Sequence, residues 1–372
     1  MENFLAALVD EQTRVGHQVV ALVHSHAPDG LPSRPQKATT FPSVIRVPCY
    51  GRLLYAPVSP AFPVWLARAI ADFQPDILHL HLPNTSAFWA LVIPSARRLP
   101  WVIHWHADVV SSAIDPRLKL AYWLYRPFEQ ALLRRATSIV ATSPTYLESS
   151  PALRSWRNKS YVVPLGLPPL DISIPSIGKA TRWQDGALKV LAIGRLTYYK
   201  GFEILIQAIA KLPDTQAIIV GDGELRAKLE VARLESGAPS RIRFAGKLTT
   251  GDLQSLQQTC DVLVLPSLER TEAFGVVLLE AMQHAKAIVA SDISGSGVGW
   301  VLAQGSAGIL VPPGDAEALA RGIGQMRTPE TRSNYGRSGH NRFAECFRID
   351  RVVDAMDQVY RCTLEHQVNL GS

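Results

Sequence analysis

The sequence lacks the cysteine patterns that would indicate a metal centre or a disulfide framework. Its four cysteines are scattered, with no CxxC pair: Cys49, Cys260, Cys346 and Cys362. Ordinary reduced thiols of a cytosolic protein fit this scatter best. No apolar run is long enough to span a bilayer, and the N-terminus lacks the basic-then-apolar order of a signal peptide. These absences predict a cytoplasmic protein.

Charged residues are also few, at 19% against 47% hydrophobic residues, which predicts a chain that buries sizeable cores. A length of 372 residues favours two domains. The net charge of +6 allows an anionic partner such as a nucleotide, a phosphate or a membrane surface, although a basic protein with no such partner explains it equally well. The modest charge and the lack of an aromatic–basic recognition module predict no nucleic-acid partner.

Short apolar runs alternate with helix-like segments along two stretches of the chain, which predicts an α/β fold with two doubly wound domains. The break between them is rich in proline, serine and glycine. We therefore predict a first domain over 1–168, a linker over 169–186, a second domain over 187–345 and a C-terminal helix over 346–372 that packs back on the first domain. Doubly wound domains usually open with a strand and a glycine turn, whereas this chain begins inside a helical pattern, so the first strand is predicted to be missing.

No GxGxxG or P-loop motif is present, so phosphate binding must come from other turns. In "GRLTYYKG", Arg195 and Lys200 flank a turn that opens a helix at Gly201, and two cations beside a helix N-terminus suit a diphosphate. Two solvated surface cations are the alternative. In "VGDGEL", Gly221 and Gly223 permit a ligand to approach the backbone closely, although a plain strand-to-helix turn explains them equally well.

The segment "RTEAFGVVLLEAM" places two carboxylates around the start of an apolar helix. Free amides near Phe274 and Gly275 would suit hydroxyl or anionic acceptors, and Glu272 beside them could accept from a polyol. Glu280 lies among apolar neighbours, where a carboxylate could accept from the vicinal hydroxyls of a ribose. A salt bridge at the helix surface is the alternative for Glu280.

Histidines follow two apolar runs of the first half. In "IHWHAD", His104 and His106 lie on one side of a strand, and a histidine at a strand's carboxyl end could bond a substrate hydroxyl. A third metal ligand is not evident, so no metal site is predicted, and "HLH" at 79–81 is interpreted as structural. The basic, aromatic-containing helix over 115–136 could lie on an anionic membrane surface or simply face solvent.

Taken in order, "HWHAD", "GRLTYYKG", "VGDGEL", "CDVLVLPS" and the Glu272-x7-Glu280 spacing resemble the retaining GT-B glycosyltransferases of family 4, the glycosyl transferases group 1. The resemblance covers nearly the whole chain. It implies a GT-B fold whose domains face each other across a cleft. It also implies a nucleotide-sugar donor such as a UDP- or GDP-sugar, a carbohydrate or lipid-linked acceptor, and no metal or other cofactor.

The resemblance also implies residue roles. Arg195 and Lys200 match the pair that grips the donor diphosphate, and Glu280 matches the acid that holds the ribose. Glu272, with the amides of Phe274 and Gly275, matches the group that holds the donor sugar, while Gly223 belongs to the donor-binding turns. His106 matches the first-domain histidine near the transferred sugar.

The favoured function is sugar transfer in the synthesis of a cell-surface polysaccharide or lipid-linked oligosaccharide, in the cytoplasm or at the inner face of the plasma membrane. Two alternatives stay open: a nucleotide-sugar epimerase of the same fold, and a nucleotide-sugar-binding protein with impaired catalysis. Family members open with a strand and a Gly-Gly turn before a helix that carries an early Glu, which Glu2 could match. Without that strand and turn, the chain is predicted to be poorly active unless residues upstream of Met1 exist.

Overall fold

The computed structural model describes residues 2–25, 44–53, 56–109, 116–170, 183 and 185–371. The chain divides into two compact units. Unit 1 comprises Met1–Thr142, Leu147–Pro164 and Val352–Ser372, and unit 2 comprises Ser143–Tyr146 and Leu165–Arg351. Most of the segment predicted as a linker lies outside the described residues.

Unit 1 contains a four-stranded parallel sheet of order β5-β6-β7-β8, a parallel pair β1-β2 and a short antiparallel pair β3-β4. Its strands are β1 (Ala21–Ser25), β2 (Val44–Pro48), β3 (Arg52–Leu53), β4 (Ala56–Pro57), β5 (Leu78–Leu82), β6 (Trp101–Trp105), β7 (Ser138–Ala141) and β8 (Ser160–Val162). Its helices are α1 (Glu2–Arg14), α2 (Phe62–Phe73), α3 (Pro94–Arg98), α4 (Pro116–Arg135) and α5 (Pro144–Ser149), the last divided between the units, with 3-10 turns at Thr85–Leu91 and Arg154–Lys159.

The central strands of this sheet are covered on both faces. Every residue of β6, "WVIHW", is buried, as are all four residues of β7. Continuous apolar runs without alternation are typical of parallel strands that carry helices on both sides. The one histidine of these two strands, His104, therefore lies among buried, mostly apolar residues, away from solvent.

Unit 2 contains one six-stranded parallel sheet of order β11-β10-β9-β12-β13-β14. Its strands are β9 (Leu188–Ile193), β10 (Thr215–Val220), β11 (Ile242–Gly246), β12 (Val262–Leu265), β13 (Ala287–Ser291) and β14 (Ile309–Val311). Its helices are α6 (Phe202–Ala210), α7 (Arg226–Glu235), α8 (Thr250–Thr259), α9 (Val276–Gln283), α10 (Val298–Val301), α11 (Ala316–Gln325) and α12 (Pro329–Cys346), with 3-10 turns at Tyr198–Lys200, Pro239–Arg241 and Ala303–Gly305; α13 (Ile349–Gly371) begins here and continues in unit 1.

The strand order of unit 2 reverses at its first strand. The chain runs outward from β9 through β10 to β11, then returns to add β12 on the other side of β9. In open parallel sheets, ligands bind beyond the carboxyl ends of the two strands at such a reversal. The turns after β9 and β12 are therefore the place where the topology expects a ligand.

The α/β prediction is confirmed by these sheets, but one element was missed. The sequence of α12, "PETRSNYGRSGHNRFAEC", shows too little apolar periodicity to predict a helix. It is positioned by small residues instead: a Cβ on Gly336 would lie 2.1 Å from the carbonyl oxygen of Ala285. Close backbone approach at glycine leaves little hydrophobic signal in a sequence.

Candidate active site

Two glycine turns lie one against the other at the carboxyl ends of β9 and β10. Gly221 has φ +133°, and a Cβ on it would lie 1.9 Å from the carbonyl oxygen of Gly194. A Cβ on Gly223 would lie 2.5 Å from the carbonyl oxygen of Leu196, whose amide donates to the Asp222 carbonyl at 3.0 Å. No residue with a side chain fits at Gly221 without a shift of the backbone, so the turn that carries Arg195 is fixed in place.

The loop after β12 joins this assembly through backbone contacts. The amide of Leu268 donates to the carbonyl of Tyr199 at 2.7 Å, and a Cβ on Gly201 would lie 2.0 Å from the Pro266 carbonyl oxygen. The turns after β9 and β12 therefore meet at the strand reversal, and side chains from both can reach one ligand.

Lys200 and Glu272 meet at this junction. Lys200 Nζ lies 2.5 Å from Glu272 Oε2, and the two side chains are 13% and 10% exposed. The Ser267 hydroxyl donates to the same carboxylate oxygen at 2.9 Å. The sequence assigned these two residues to different parts of a donor, and the structure brings them into direct contact.

Arg195 lies on the same turn but is far more open. Its side chain is 58% exposed and pairs with Glu224 at 3.3 Å. Exposed ion pairs are worth about 0–1 kcal/mol because water screens them. The guanidinium can therefore exchange Glu224 for an anionic ligand at little cost.

The start of α9 presents backbone amides beside Glu272. Gly275 is the N-cap with φ +79°. Within the described part of the chain, no backbone carbonyl accepts from the amides of Phe274 or Gly275, as is usual in a first helical turn. Two hydrogen bonds to backbone carbonyls fix this loop. The Ser296 hydroxyl donates to the Glu272 carbonyl at 2.5 Å, and the Gly297 amide donates to the Ala273 carbonyl at 2.8 Å.

The Phe274 side chain plays a different part from its amide. It is 3% exposed and contacts Trp300 and Phe347, with ring centroids 6.4 and 6.0 Å away. This aromatic group anchors the loop in the core of unit 2. Any contact of Phe274 with a ligand would therefore come from its backbone.

Glu280 lies in the second turn of α9 with a neutral partner. Gln257 Nε2 donates to Glu280 Oε2 at 2.6 Å. Burial raises the pKa of the carboxyl, and the hydrogen bond from Gln257 opposes that shift. Among the described residues, Glu280 has this amide of α8 as its hydrogen-bond partner and forms no salt bridge, contrary to the alternative of a salt bridge at the helix surface.

The remaining predicted residue, His106, lies in unit 1 in a stack of four imidazoles. His104 and His106 have ring centroids 4.3 Å apart, and His81 Nδ1 lies 2.9 Å from His106 Nε2. The ring of His79 lies beside that of His81, with centroids 4.3 Å apart and the planes tilted by 31°. Burial, with smaller contributions from the neighbouring rings, lowers the pKa of His104 and His106 well below the usual value, and burial lowers that of His81 to about 4. Burial lowers the pKa of His79 as well, so it favours the neutral form of all four rings.

Sequence reasoning found the turns and missed their supports. Ser296, which bonds the Glu272 carbonyl, and Gln257, which bonds Glu280, carry no motif that would mark them. Ser267 closes the motif "CDVLVLPS", but the motif gives no sign that its hydroxyl bonds the Glu272 carboxylate. It interpreted "HLH" as structural and saw no third ligand beside His104 and His106; the register of β5 on β6, which pairs His81 with His104, brings the histidines together.

Comparison with protein families matches both halves of the chain. Residues 173–342 match the family described as Glycosyl transferases group 1, and residues 1–166 match the Glycosyl transferase 4-like domain. The chain belongs to the glycosyl transferases group 1 family. It is thus a glycosyltransferase of the GT-B class, as its motifs predicted.

Individual relatives of this glycosyltransferase agree with that assignment. The O-antigen chain mannosyltransferase C of Escherichia coli is 31% identical over 85% of this chain and 84% of its own length. Among solved structures, sucrose-phosphate synthase from Thermosynechococcus elongatus matches with a TM-score of 0.74 at 22% identity, over 99% of this chain and 93% of that one. Anabaena HepE in complex with UDP-glucose matches with a TM-score of 0.65 at 19% identity, over 96% and 94%. These two likenesses show the shared fold.

Among the residues described, no helix combines the length and the apolar character needed to cross a bilayer.

Proposed function

We propose that this glycosyltransferase transfers a sugar from a nucleotide-sugar donor to an acceptor hydroxyl with retained anomeric configuration, in the synthesis of a cell-surface polysaccharide or lipid-linked oligosaccharide. The single observation that carries the proposal is the Lys200–Glu272 pair beside the free amides of α9, at the strand reversal of unit 2. The relative named for O-antigen synthesis supports the acceptor class.

The donor diphosphate binds to the turn after β9. Lys200 and Arg195 supply two positive charges there, and each already pairs with a carboxylate that an anionic ligand can replace. Cations fixed before the reaction stabilise the charge that develops on the leaving diphosphate. These protein cations take the part that a divalent metal plays in other transferases, so catalysis is proposed to need no metal.

The rest of the donor binds along α9. Glu280 accepts from the two ribose hydroxyls, a suitable task for a carboxylate that one amide already orients. When the diphosphate replaces Glu272 as the partner of Lys200, Glu272 keeps the hydrogen bond from Ser267. Its remaining lone pairs can then accept hydrogen bonds from the sugar hydroxyls. The amides of Phe274 and Gly275 donate to the same sugar or to the diphosphate.

Transfer breaks the bond between the anomeric carbon and the diphosphate oxygen, and that oxygen keeps the electron pair. The acceptor oxygen bonds to the same face of the anomeric carbon through an oxocarbenium-like state, and its proton passes to the departing phosphate. Glu272 orients the sugar in this scheme and is not a nucleophile. His106 is proposed to bond a sugar hydroxyl through Nδ1, a buried atom with no hydrogen-bond partner among the described residues.

A panel of nucleotide sugars tests the proposal. Each donor is incubated with the protein with and without a lipid-linked or oligosaccharide acceptor, and release of the nucleoside diphosphate is followed. We expect one donor to release diphosphate only with acceptor present, and the product linkage to keep the donor's anomeric configuration. Donor conversion without acceptor would identify an epimerase, and binding without turnover would identify a binding protein.

Peripheral contact with an anionic membrane is proposed for α4. Trp123, Leu124 and Phe128 are 70%, 58% and 52% exposed on this helix, which ends in Arg134 and Arg135. Exposed aromatic and aliphatic side chains with nearby cations are typical of interfacial helices. Co-sedimentation with vesicles of anionic lipid should fall in Trp123→Ala and should be unaffected in Trp89→Ala, a matched variant outside α4.

A further inference from the structure

Four imidazoles of unit 1 share one face of its parallel sheet. His79 and His81 are two residues apart in β5, so their side chains lie on the same face of the sheet. His104 of β6 is paired with His81, and His106 follows just beyond the end of β6. The nitrogens of His79, His81 and His104 that could bind a metal ion all lie within 4.8 Å of one another. Residues 25 positions apart in the chain are thus brought together by strand pairing alone.

The cluster carries more polar atoms than its surroundings satisfy. Nε2 of His79 and both ring nitrogens of His104 are buried without a hydrogen-bond partner among the residues that the structure describes. A neutral imidazole has one N–H donor and one acceptor nitrogen, and leaving such groups unpaired inside a protein destabilises it. Apolar side chains would fill this space without that cost, so simple packing does not account for the histidines.

The hydrogen bonds that do exist orient the rings as a metal site requires. His79 Nδ1 lies 2.8 Å from the Tyr360 hydroxyl, which also accepts from Gln12 at 2.9 Å. His81 Nδ1 contacts His106 Nε2 at 2.9 Å. In metal sites, the ring nitrogen that does not bind the ion usually donates to such a partner, and this fixes the tautomer. Protons on both Nδ1 atoms would leave the Nε2 lone pairs of His79 and His81 for an ion.

We propose that unit 1 binds one zinc-class divalent ion through Nε2 of His79, Nε2 of His81 and a ring nitrogen of His104. Imidazole is a good ligand for zinc, copper and nickel, whereas magnesium and calcium prefer oxygen. Zn–N bonds of about 2.0–2.1 Å require the rings to close in by roughly an ångström, which rotation of the side chains supplies. The proposal stands on the geometry of unit 1 and is independent of the proposed sugar transfer.

Metal binding would have a consequence for His106. With the ion on Nε2 of His81, the proton of His81 lies on Nδ1 and is donated to Nε2 of His106. His106 then carries its own proton on Nδ1, ready to donate. The ion would act on His106 through His81, as a positioning group.

Direct metal titration of the whole protein, prepared without a histidine tag, tests the site. Zn²⁺ is titrated in competition with a chromophoric chelator, and Co²⁺ is added separately to record its visible absorption bands. We expect one Zn²⁺ per chain, Co²⁺ bands typical of a nitrogen-ligated ion of low coordination number, and an unfolding midpoint that rises with Zn²⁺. In His79→Gln and His104→Gln, affinity should fall at least about tenfold, and His17→Gln, on the surface of the same unit, should bind like the parent.

A milder variant separates the metal site from the stability of the fold. Tyr360→Phe keeps the ring and removes the hydroxyl that holds His79, so Zn²⁺ affinity should fall about 10- to 100-fold while the circular dichroism spectrum is unchanged. Weak or multiple Zn²⁺ binding by the parent protein would overturn the proposal. Binding of Zn²⁺ by His104→Gln with the affinity of the parent would also overturn the proposal, as would a Co²⁺ spectrum typical of a fully hydrated ion. The Co²⁺ spectrum is recorded on the parent protein, so this test does not depend on the folding of a variant.

Discussion

The two units place their reactive groups in opposite electrostatic settings. In unit 2 the groups are charged and already paired, Lys200 with Glu272 and Arg195 with Glu224, on turns that glycine contacts fix. In unit 1 they are neutral imidazoles stacked inside a sheet, with lowered pKa values. A paired cation suits an anionic ligand, which replaces one partner by another. Neutral nitrogen suits hydroxyls and metal ions, which need a lone pair or an N–H.

The turns of unit 2 depend on a contact that only glycine permits. Gly221→Ala should lower the free energy of unfolding by about 2–5 kcal/mol, since it combines left-handed backbone strain with overpacking against the Gly194 carbonyl. Gly237→Ala is the control, because Gly237 also has positive φ but nothing within 4 Å of its Cβ position. Equal losses in denaturant unfolding would mean that the contact of the two turns contributes nothing.

Removal of a unit 2 charge should have the next largest effect. Lys200→Ala should lower kcat/KM for sugar transfer by about 10²–10³-fold, because one fixed charge is lost from the leaving diphosphate. Lys211→Ala, which breaks an exposed pair with Glu317, is the matched control and should transfer sugar normally. Steady-state kinetics at saturating acceptor measures both. Parent-like rates in Lys200→Ala would place the diphosphate elsewhere.

A buried carboxyl of unit 1 sharpens the contrast between the units. Burial, and then the charge of Asp108, raises the pKa of Glu129 from 4.5 to about 7. The native state therefore holds a proton that the unfolded state has lost between about pH 4.5 and 7, so this group destabilises the fold as pH rises. Between pH 4 and pH 8, the free energy of unfolding of Glu129→Gln should therefore rise by up to about 3 kcal/mol relative to that of the parent.

Urea unfolding at both pH values measures that gain. Glu148→Gln, an exposed acid of the same unit, should show the same pH dependence as the parent. A parallel pH dependence in the parent and in Glu129→Gln would show that Glu129 ionises in the native state as readily as in the unfolded chain.

The smallest expected effect concerns the ribose. Glu280→Gln keeps an acceptor for Gln257 but lacks the negative charge, so KM for the donor should rise by about tenfold, equivalent to about 1.4 kcal/mol, with little change in kcat. Glu235→Gln, an exposed acid of α7, is the control. A change in kcat alone would assign Glu280 to the chemical step instead.

The sequence predicted what local chemistry determines. Gly275 as the start of α9 follows from a glycine before an apolar run, and the turns at Gly194 and Gly221 follow from their position after short strands. The GT-B assignment rested on the order of these motifs. The residue roles remain predictions, as does the absence of a first strand and glycine turn.

What the sequence could not predict depends on residues far apart in the chain. Lys200 and Glu272 are 72 positions apart, and their direct bond requires β9 beside β12. The histidine stack requires one particular register of β5 on β6, and a slip of one residue would turn His81 to the opposite face. Such contacts leave no local pattern of spacing or periodicity.

The helix α13 returns the chain to unit 1 after unit 2. Residues of α13 from Val352 onward belong to unit 1, where Val353, Met356 and Thr363 are buried and Tyr360 bonds His79. Unit 1 is therefore completed only by a segment that follows the whole of unit 2 in the chain. A fragment that ends before Val352 lacks part of the interior of unit 1, so a stop codon there would damage the amino-terminal half of the enzyme and not only remove the residues beyond it.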